Sequence, residues 1–359
     1  MQVLVRVDAS REIGAGHLQR CLALADALRD LGAVVRFACR DRRGHPGDLV
    51  RAQGFEVASL EGRESEPTAA AGADFCGWLG AGWEEDAAQT AAVIAGGADW
   101  LVVDHYAIDW RWQQRLRASA ARIMVIDDLA NRRHDCDVLL DQNLHREMQA
   151  RYREYVPHAC RLLLGPEYAL LRREFHAAHM VARRRDGSIS RLLVFMGGGD
   201  GGNFTSTALA AVRQLDMAGL EVEAIVGRQH PALEEIQAEC RARGFACHVQ
   251  VERMAELMAR ADLAIGACGS ASWERCCVGL PAVVVAIADN QVSIGEGLDA
   301  RGACVYLGTA AAVNSAALAQ AMRRLLTHPV QVRELSVCAH ALVDGLGAQR
   351  VAQVLEQAA

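Results

Sequence analysis

The sequence predicts an α/β protein with two domains, each built around a parallel sheet. Short runs of β-branched and apolar residues alternate with helical patterns along the chain, which is typical of consecutive βα units. The length of 359 residues suggests two domains at about 100–200 residues each. Hydrophobic residues make up 52% of the chain and charged residues 23%, the balance of a globular protein.

Ten strands are predicted, in two series. The first series lies at residues 3–7, 34–38, 100–104, 123–127 and 138–141, and the second at residues 192–196, 222–226, 246–249, 263–266 and 282–286. The polar stretch 183–190, which begins with three arginines, separates the two series and is interpreted as a solvated linker. We therefore expect one Rossmann-like domain at residues 1–175 and a second at residues 190–359.

Two kinds of segment lie outside these strands. The segment 61–85 is rich in Gly, Ala and acidic residues and is interpreted as a loop-rich insertion with no assigned role. Residues 315–326 and 330–356 carry apolar residues at helical spacing, which predicts helices. The last helix could pack back against the first domain, a point that the sequence leaves open.

The composition excludes several kinds of chemistry. All 38 cationic residues are arginine, and the absence of lysine rules out a Schiff base, a pyridoxal-phosphate site, a P-loop and a kinase ion pair. A net charge of −6 with scattered arginines argues against a nucleic-acid partner. No stretch has the ~18 apolar residues of a membrane span, and the N-terminus lacks a signal peptide's apolar core. We expect a cytoplasmic protein with no membrane partner.

The twelve cysteines favour neither a metal site nor disulfides. No C-x-x-C motif is present, and most cysteines, such as Cys21 and Cys39, stand among apolar residues. We interpret them as buried reduced thiols, which fits a reducing compartment. Neighbouring residues on a helix point in different directions, so Cys276 and Cys277 would not share a metal ion.

The turn after the first strand, residues 8–17, is the first candidate site. Apolar residues recur at helical spacing from Leu18, so a helix is expected to begin near His17, at the carboxyl edge of the sheet. Gly14 and Gly16 permit close backbone approach, although a G-x-G alone is weak evidence. The helix dipole disfavours a charged His17, which leaves a neutral imidazole suited to a general base. The alternative is a histidine that only caps or packs the helix start.

Two Gly-rich turns follow strands of the second series. Residues 196–205 contain five glycines and precede a helix, which favours a cradle for a diphosphate over a flexible linker. In the turn 266–275, Gly269 and Ser270 open a helix whose amides could bind a phosphate. Glu274 could accept from two ribose hydroxyls, or it could be only a favourable charge near a helix start. Asn290 and Gln291, after the next strand, would bring amides to the same edge.

Several motifs together resemble one known family. They are R-V-D-A-S at 6–10, G-A-G-H-L-Q-R-C at 14–21, V-D-H-Y at 103–106, I-D-D-L at 126–129, D-Q-N-L at 141–144, M-G-G-G-D at 196–200 and G-S-A-S-W-E-R-C-C at 269–277. Across nearly the whole chain, this ordered set resembles the UDP-2,4-diacetamido-2,4,6-trideoxy-β-L-altropyranose hydrolases of pseudaminic acid biosynthesis, a family related to GT-B glycosyltransferases.

The resemblance implies a GT-B-like fold, with two Rossmann-like domains facing a central cleft and the nucleotide on the second. It implies hydrolysis at the anomeric carbon by water, with release of UDP and without a cofactor or metal ion. His17 would be the base and Tyr106 a second catalytic residue. Candidate substrate-binding residues are Asp8, Arg11, Gly14, Gly16, Asn290 and Gln291; candidate UDP-binding residues are Gly197, Gly198, Gly199, Asp200, Met254, Gly269, Ser270, Ser272 and Glu274. Inversion is expected if one water attacks opposite the diphosphate.

Three alternatives stay open at this stage. A GT-B glycosyltransferase would use the same UDP-sugar site but transfer the sugar to an acceptor hydroxyl. A nucleotide-sugar-binding module would use His17 only as a cap. A metal-dependent hydrolase would use the acidic cluster Asp127, Asp128, His134, Asp135 and Asp137. The sequence indicates no oligomeric state.

Overall fold

A computed structural model describes residues 1–10, 13–40, 46–62, 75–198, 200–215 and 217–359. The chain forms two compact units. Unit 1 comprises Met1–Asn143, Glu147–Arg172 and Leu346–Ala359, and unit 2 comprises Leu144–Arg146 and Arg173–Gly345. The expectation of an α/β protein with two parallel sheets is confirmed. No helix in the described parts of the chain is both long enough and apolar enough to cross a membrane.

Thirteen strands are present among the described residues. They are β1 (Gln2–Val7), β2 (Val34–Arg40), β3 (Glu56–Leu60), β4 (Ala98–Asp104), β5 (Ala120–Ile126), β6 (Val138–Asp141), β7 (Arg161–Leu164), β8 (Arg191–Phe195), β9 (Glu221–Val226), β10 (Ala246–Val249), β11 (Leu263–Ala267), β12 (Ala282–Ala286) and β13 (Val305–Thr309). The sheet of unit 1 has the order β3-β2-β1-β4-β5-β6-β7, and that of unit 2 the order β10-β9-β8-β11-β12-β13. All neighbouring strands are parallel.

Helices connect most of these strands. They are α1 (Gly16–Asp30), α2 (Pro46–Ala52), α3 (Trp83–Val93), α4 (Trp110–Leu116), α5 (Met148–Tyr152), α6 (Arg173–Met180), α7 (Phe204–Arg213), α8 (Leu233–Arg243), α9 (Met254–Arg260), α10 (Ala271–Cys277), α11 (Val292–Ala300), α12 (Ser315–Thr327), α13 (Pro329–Leu342) and α14 (Gly347–Ala358). Short 3₁₀ helices lie at Cys76–Leu79, Pro166–Tyr168 and Asp289–Gln291.

Each sheet buries its apolar strands beneath helices. In unit 1, Val5 and Val102 share a core with Leu24 of α1 and Leu355 of α14. The indole of Trp100 also donates to the carbonyl of Leu355 at 3.0 Å, which ties α14 to β4. The last helix is therefore part of unit 1, although it is the last segment of the chain.

Two sequence interpretations in the second half of the chain are wrong. The stretch 330–356 is not one helix, because Gly345 adopts a φ of +80° between α13 and α14, a conformation that favours glycine. The arginines at 183–185 are not a solvated linker either. Arg185 is only 6% exposed, and Arg183 pairs with Asp262. Both side chains also bind backbone carbonyls of the segment 258–262, so this stretch is part of unit 2.

The cysteines match the expectation of reduced thiols. All eleven cysteines whose side chains are described are free, and most are buried. Burial raises the pKa of Cys276 and of Cys277 to about 12, so both remain protonated at neutral pH.

Candidate functional site

His17 lies at the carboxyl edge of the unit 1 sheet. It is the second residue of α1, and its side chain meets Asp104 at the end of β4, the strand beside β1. The distance from His17 Nδ1 to Asp104 Oδ1 is 2.6 Å. His17 is 9% exposed, and within the described ranges nothing hydrogen-bonds to its Nε2. That nitrogen is the one left to meet a ligand.

Arg20 fixes the Asp104 carboxylate. Its Nε and Nη2 donate to the two oxygens of Asp104, each at 2.7 Å. Burial alone would raise the pKa of Asp104, but Arg20 and then His17 lower that pKa well below its usual range. An ionised carboxylate only accepts hydrogen bonds, so the proton in the 2.6 Å contact belongs to His17 Nδ1. The Nε2 atom of this tautomer carries a lone pair and can accept a proton.

A second carboxylate, Asp128, extends the same network. Arg20 Nη1 donates to Asp128 at 2.8 Å, and the amide of Asn143 donates to it at 2.8 Å. Tyr106 also donates its hydroxyl proton to Asp128, at 2.6 Å. Burial, and next the charge of Asp128, raise the pKa of Tyr106 well above its usual value. Tyr106 is therefore a neutral phenol at physiological pH, and its ring packs edge-on against His17 at 4.6 Å.

The structure does not bring Asp8 to the surface. Asp8 is 1% exposed, and Arg6 donates to both of its oxygens, at 2.6 and 2.9 Å. The backbone N–H of Arg40 donates to it at 2.7 Å, and His105 Nε2 lies 3.3 Å away. Burial raises the pKa of Asp8, but Arg6 lowers it well below its usual range. Asp8 thus anchors the β1 turn and is not free to touch a substrate.

The rest of this turn is partly described. Arg11 lies outside the described residues. Gly14 has a φ of +76° and donates its N–H to the carbonyl of Ser10 at 2.8 Å, closing a tight turn. Gly16 is exposed and starts α1, whose N-cap Ala15 supplies no side-chain cap. The turn therefore brings uncapped backbone close to His17.

In unit 2, the helix after the first Gly-rich turn is already capped. Asp200 accepts from the backbone N–H groups of Phe204 and Thr205, at 2.7 and 2.9 Å, and Asn203 accepts from Ser206 at 3.3 Å. The positive end of α7 is thus occupied by a carboxylate, which differs from the expected open cradle. Gly197, at a φ of +85°, and the exposed Gly198 remain as backbone donors, whereas Gly199 lies outside the described residues.

The second Gly-rich turn of unit 2 differs, because its N-cap residue does not cap the following helix with its side chain. Ser270, the N-cap of α10, is exposed and makes no side-chain cap. The next turn lies beside it, since β11 and β12 are neighbours, and a Cβ on Gly269 would stand 3.3 Å from Gln291 Nε2. Gln291 Oε1 accepts from the N–H of Ile287 at 3.1 Å, which fixes this turn.

The remaining candidate binding residues of unit 2 fall into a half-buried group and a buried group. Glu274 and Asn290 are half-buried at this edge of the sheet. Ser272 is buried, and its hydroxyl accepts from Arg275 at 3.0 Å. Met254 is buried at the start of α9. Ser272 and Met254 therefore support the site from within.

The acidic cluster considered as a metal site is engaged by other side chains. Arg20 pairs with Asp128, Arg132 with Asp127, and Arg117 with both Asp135 and Asp137. Among the residues whose positions are described, no group of three His, Cys, Asp or Glu side chains could hold a metal ion.

Sequence reasoning missed Asp104 and Arg20 of the His17 network as site residues, and it considered Asp128 only as a metal ligand. Asp104 and Asp128 stand at or after strand ends, and Arg20 follows His17 by one helical turn. Since residues three apart share a helix face, the H-x-x-R spacing indicated that both side chains meet the same group. The strand-end aspartate was the available partner.

Comparison with curated proteins finds relatives that include a polysaccharide biosynthesis protein and a UDP-sugar hydrolase. The spore coat polysaccharide biosynthesis protein SpsG of Bacillus subtilis is 29% identical over 213 residues, which cover 57% of this chain and 61% of SpsG. The UDP-2,4-diacetamido-2,4,6-trideoxy-β-L-altropyranose hydrolase of Campylobacter jejuni is 28% identical over 178 residues, or 49% of this chain and 54% of the hydrolase. The chain thus spans little more than half the length of these relatives. No protein-family model matches it.

Comparison with solved structures identifies the fold. The glycotransferase of kitacinnamycin superposes with a TM-score of 0.69 at 18% identity, over 99% of this chain and 98% of that chain. The chain has the GT-B fold of such glycosyltransferases.

Proposed function

We propose that this chain is an enzyme acting on a nucleotide sugar, and specifically a hydrolase that releases UDP from UDP-2,4-diacetamido-2,4,6-trideoxy-β-L-altropyranose. The reaction would serve pseudaminic acid biosynthesis. The observation that carries the proposal is the 2.6 Å contact between His17 Nδ1 and a carboxylate locked by Arg20, which leaves Nε2 as a base. The similarity to the Campylobacter jejuni hydrolase supports the choice of substrate.

The proposed reaction needs one base and one set of anion donors. His17 Nε2 takes a proton from a water molecule as its oxygen attacks the anomeric carbon. The bond between that carbon and the diphosphate oxygen breaks, and its electron pair leaves with UDP. The imidazolium that forms is stabilised by Asp104, whose depressed pKa keeps it ionised throughout. Attack by one water opposite the leaving group inverts the anomeric carbon.

The diphosphate is proposed to bind unit 2. Gly197, Gly198, Gly269 and Ser270 would supply backbone donors, as Gly-rich turns commonly do for anions. Glu274 would accept from the ribose hydroxyls, and Asn290 with Gln291 would donate amides. Donors of this kind stabilise charge that develops on a leaving diphosphate, which is the largest contribution that such a site can make.

A GT-B glycosyltransferase is the second candidate, because one of the solved structures that share the fold is a glycotransferase. Both reactions break the same bond, but a transferase delivers the sugar to an acceptor hydroxyl. A water molecule and an acceptor hydroxyl would both yield their proton to His17. The two functions therefore differ in the nucleophile that attacks the anomeric carbon.

The deciding experiment is incubation with the UDP-sugar in ¹⁸O-labelled water without any acceptor. A hydrolase forms UDP and free sugar in equal amounts, with the label in the sugar and the inverted anomer appearing first by NMR. Release that stays negligible until an acceptor alcohol is added would favour the transferase. UDP-sugar binding without turnover under either condition would indicate a binding module.

A further inference from the structure

Three aromatic side chains stand together beside His17 in unit 1. Phe75 and Trp78 have ring centroids 4.7 Å apart, and each approaches Tyr106, at 5.0 and 5.6 Å respectively. The rings of Trp78 and Tyr106 are nearly parallel, with an interplanar angle of 19°. The imidazole of His17 lies 6.4 Å from the Trp78 ring. We call Phe75, Trp78 and Tyr106 the aromatic wall.

The wall comes from a segment to which the sequence assigned no role. The 3₁₀ helix Cys76–Leu79 carries Trp78, and Phe75 precedes it. The N–H of Trp78 donates to the carbonyl of Phe75 at 2.8 Å, and the buried side chain of Leu79 anchors the helix in the unit 1 core. The wall is therefore held in place on both sides, by Tyr106 and by Leu79.

The exposure of its side chains distinguishes the aromatic wall from the hydrophobic core. Tyr106 is buried, but Phe75 and Trp78 are only half-buried, although their rings are among the largest apolar groups in the chain. The indole N–H of Trp78 also has no acceptor within the described parts of the chain. A half-buried apolar ring whose N–H has no acceptor among the described residues, beside a candidate base, is typical of a ligand-binding surface.

We propose that the aromatic wall selects UDP-sugars whose ring carries methyl groups, as 6-deoxy and N-acetyl sugars do. This inference rests on the proposed function and names specificity-determining residues for the substrate of the same site. Methyl and ring C–H groups pack on aromatic faces, and the Trp78 indole donates to an N-acyl carbonyl oxygen. A hydroxyl on carbon 6 would give up water to lie against the apolar faces of these rings, which disfavours fully hydroxylated sugars.

Selectivity is the quantity that tests this inference. We compare kcat/KM for the UDP-linked diacetamido-trideoxy sugar with that for its counterpart bearing a hydroxyl on carbon 6. Trp78→Ala should lower kcat/KM for the deoxy sugar about 10- to 100-fold and bring the ratio of the two sugars close to one, because the methyl contact is lost. The matched control is Trp110→Ala, since Trp110 is 38% exposed on α4 and makes no ring contact with His17.

A binding measurement separates failure of the wall from failure of the proposed function. In a His17→Asn background, addition of the deoxy UDP-sugar should change tryptophan fluorescence, and Trp78→Phe should abolish most of that change. If the parent binds the sugar but releases no UDP, the proposed hydrolase function is wrong, whereas the inference that the aromatic wall binds the sugar is retained. If Trp78→Phe keeps the fluorescence change, or a folded Trp78→Ala keeps the parent's selectivity within twofold, the wall inference is overturned. Absence of any UDP-sugar binding overturns both.

Discussion

Unit 1 pairs its buried arginines with carboxylates, whereas unit 2 surrounds its buried arginines with backbone carbonyls. Arg6 binds Asp8 and Asp86 in unit 1, with each ion pair at 2.6 or 2.7 Å. Arg20 binds Asp104 and Asp128 in the same way. Burial alone would lower the pKa of Arg6, but these aspartates raise it above its ordinary value.

The two buried arginines of unit 2, Arg185 and Arg275, form no ion pair with a carboxylate among the described residues. Arg185 donates to the carbonyls of Val278 and Gly279 at 2.9 and 2.7 Å, and burial lowers its pKa to about 10. Arg275 donates to the carbonyl of Ala267 at 2.7 Å, and its Nη1 has no partner within the described ranges. Burial lowers the pKa of Arg275 as well.

This difference suits the two chemical tasks proposed for the units. Paired charges in unit 1 hold the carboxylate at His17 in one geometry and add little net charge. In unit 2, Arg275 places a buried positive charge beneath the end of β11, two residues before Gly269. A positive potential at that turn favours a bound diphosphate. Replacing residues in each unit therefore tests separate functions.

His17→Asn is expected to have the largest effect, because it removes the base while leaving a polar side chain. The turnover number should fall about 10²- to 10⁴-fold, with UDP affinity and thermal unfolding close to those of the parent. Steady-state UDP release and calorimetric binding of UDP measure the two properties separately. His158→Asn, at an exposed position, is the matched control. If the His17→Asn variant hydrolyses the UDP-sugar within tenfold of the parent's rate, His17 is a packing residue and not the base.

Asp86→Asn should strongly destabilise unit 1. Asp86 accepts from Arg6 and Arg40, so its loss removes one of the two carboxylates that pair with Arg6 and the carboxylate that pairs with the buried Arg40 guanidinium. Breaking a buried pair costs about 3–5 kcal/mol. Hydrogen exchange should accelerate in unit 1 peptides and remain unchanged in most of unit 2. The control Asp48→Asn breaks an exposed pair with Arg51, worth about 1 kcal/mol or less. Equal effects of the two substitutions would contradict the assigned role of the buried network.

The strands that the sequence failed to predict share a position in the fold. All ten predicted strands are present, but β3, β7 and β13 were missed, and each is an edge strand. Central strands of a parallel sheet are covered on both faces and form continuous apolar runs. The edge strands are partly exposed, as the pattern of β13 shows, so their sequences resemble loops.

The site was predictable where chemistry is local and not where it depends on distant residues. The position of His17 at the start of a helix followed from the apolar spacing after it. The pairing of Arg20 with Asp104 spans 84 residues along the chain and needs the neighbouring positions of β1 and β4. The capping of α7 by Asp200 was equally hidden, because a Gly-Gly-Gly-Asp turn has the same composition whether its aspartate faces a ligand or its own helix.

Acid should unfold unit 1 before unit 2. Asp8, Asp104 and Asp127 are buried, a condition that by itself raises their pKa values, but their arginine partners lower them well below the usual range. A depressed folded pKa gives stability above about pH 4, and that stability is lost as the pH falls through the folded value. Each such carboxylate contributes about 2–3 kcal/mol at neutral pH. Pepsin digestion between pH 2 and 4, read by mass spectrometry, should cut unit 1 at the higher pH; simultaneous cleavage of both units would contradict this order.

Glu274→Ala is expected to give the smallest effect and to test the nucleotide half of the comparison. If the Glu274 carboxylate accepts from the ribose hydroxyls, its loss should weaken UDP binding by about 1–3 kcal/mol, the cost of hydrogen bonds to a charged acceptor. The turnover number at saturating substrate should change little, because the proposed base lies in unit 1. Glu256→Ala on α9 is the control, since the side chain of Glu256 is 54% exposed and pairs with the exposed Arg253. Calorimetric titration with UDP and with 2′,3′-dideoxy-UDP separates the two explanations for Glu274. The parent should lose affinity for the dideoxy nucleotide, whereas Glu274→Ala should bind both nucleotides alike. If Glu274→Ala retains the parent's preference for UDP, the carboxylate is only a favourable charge near the start of α10.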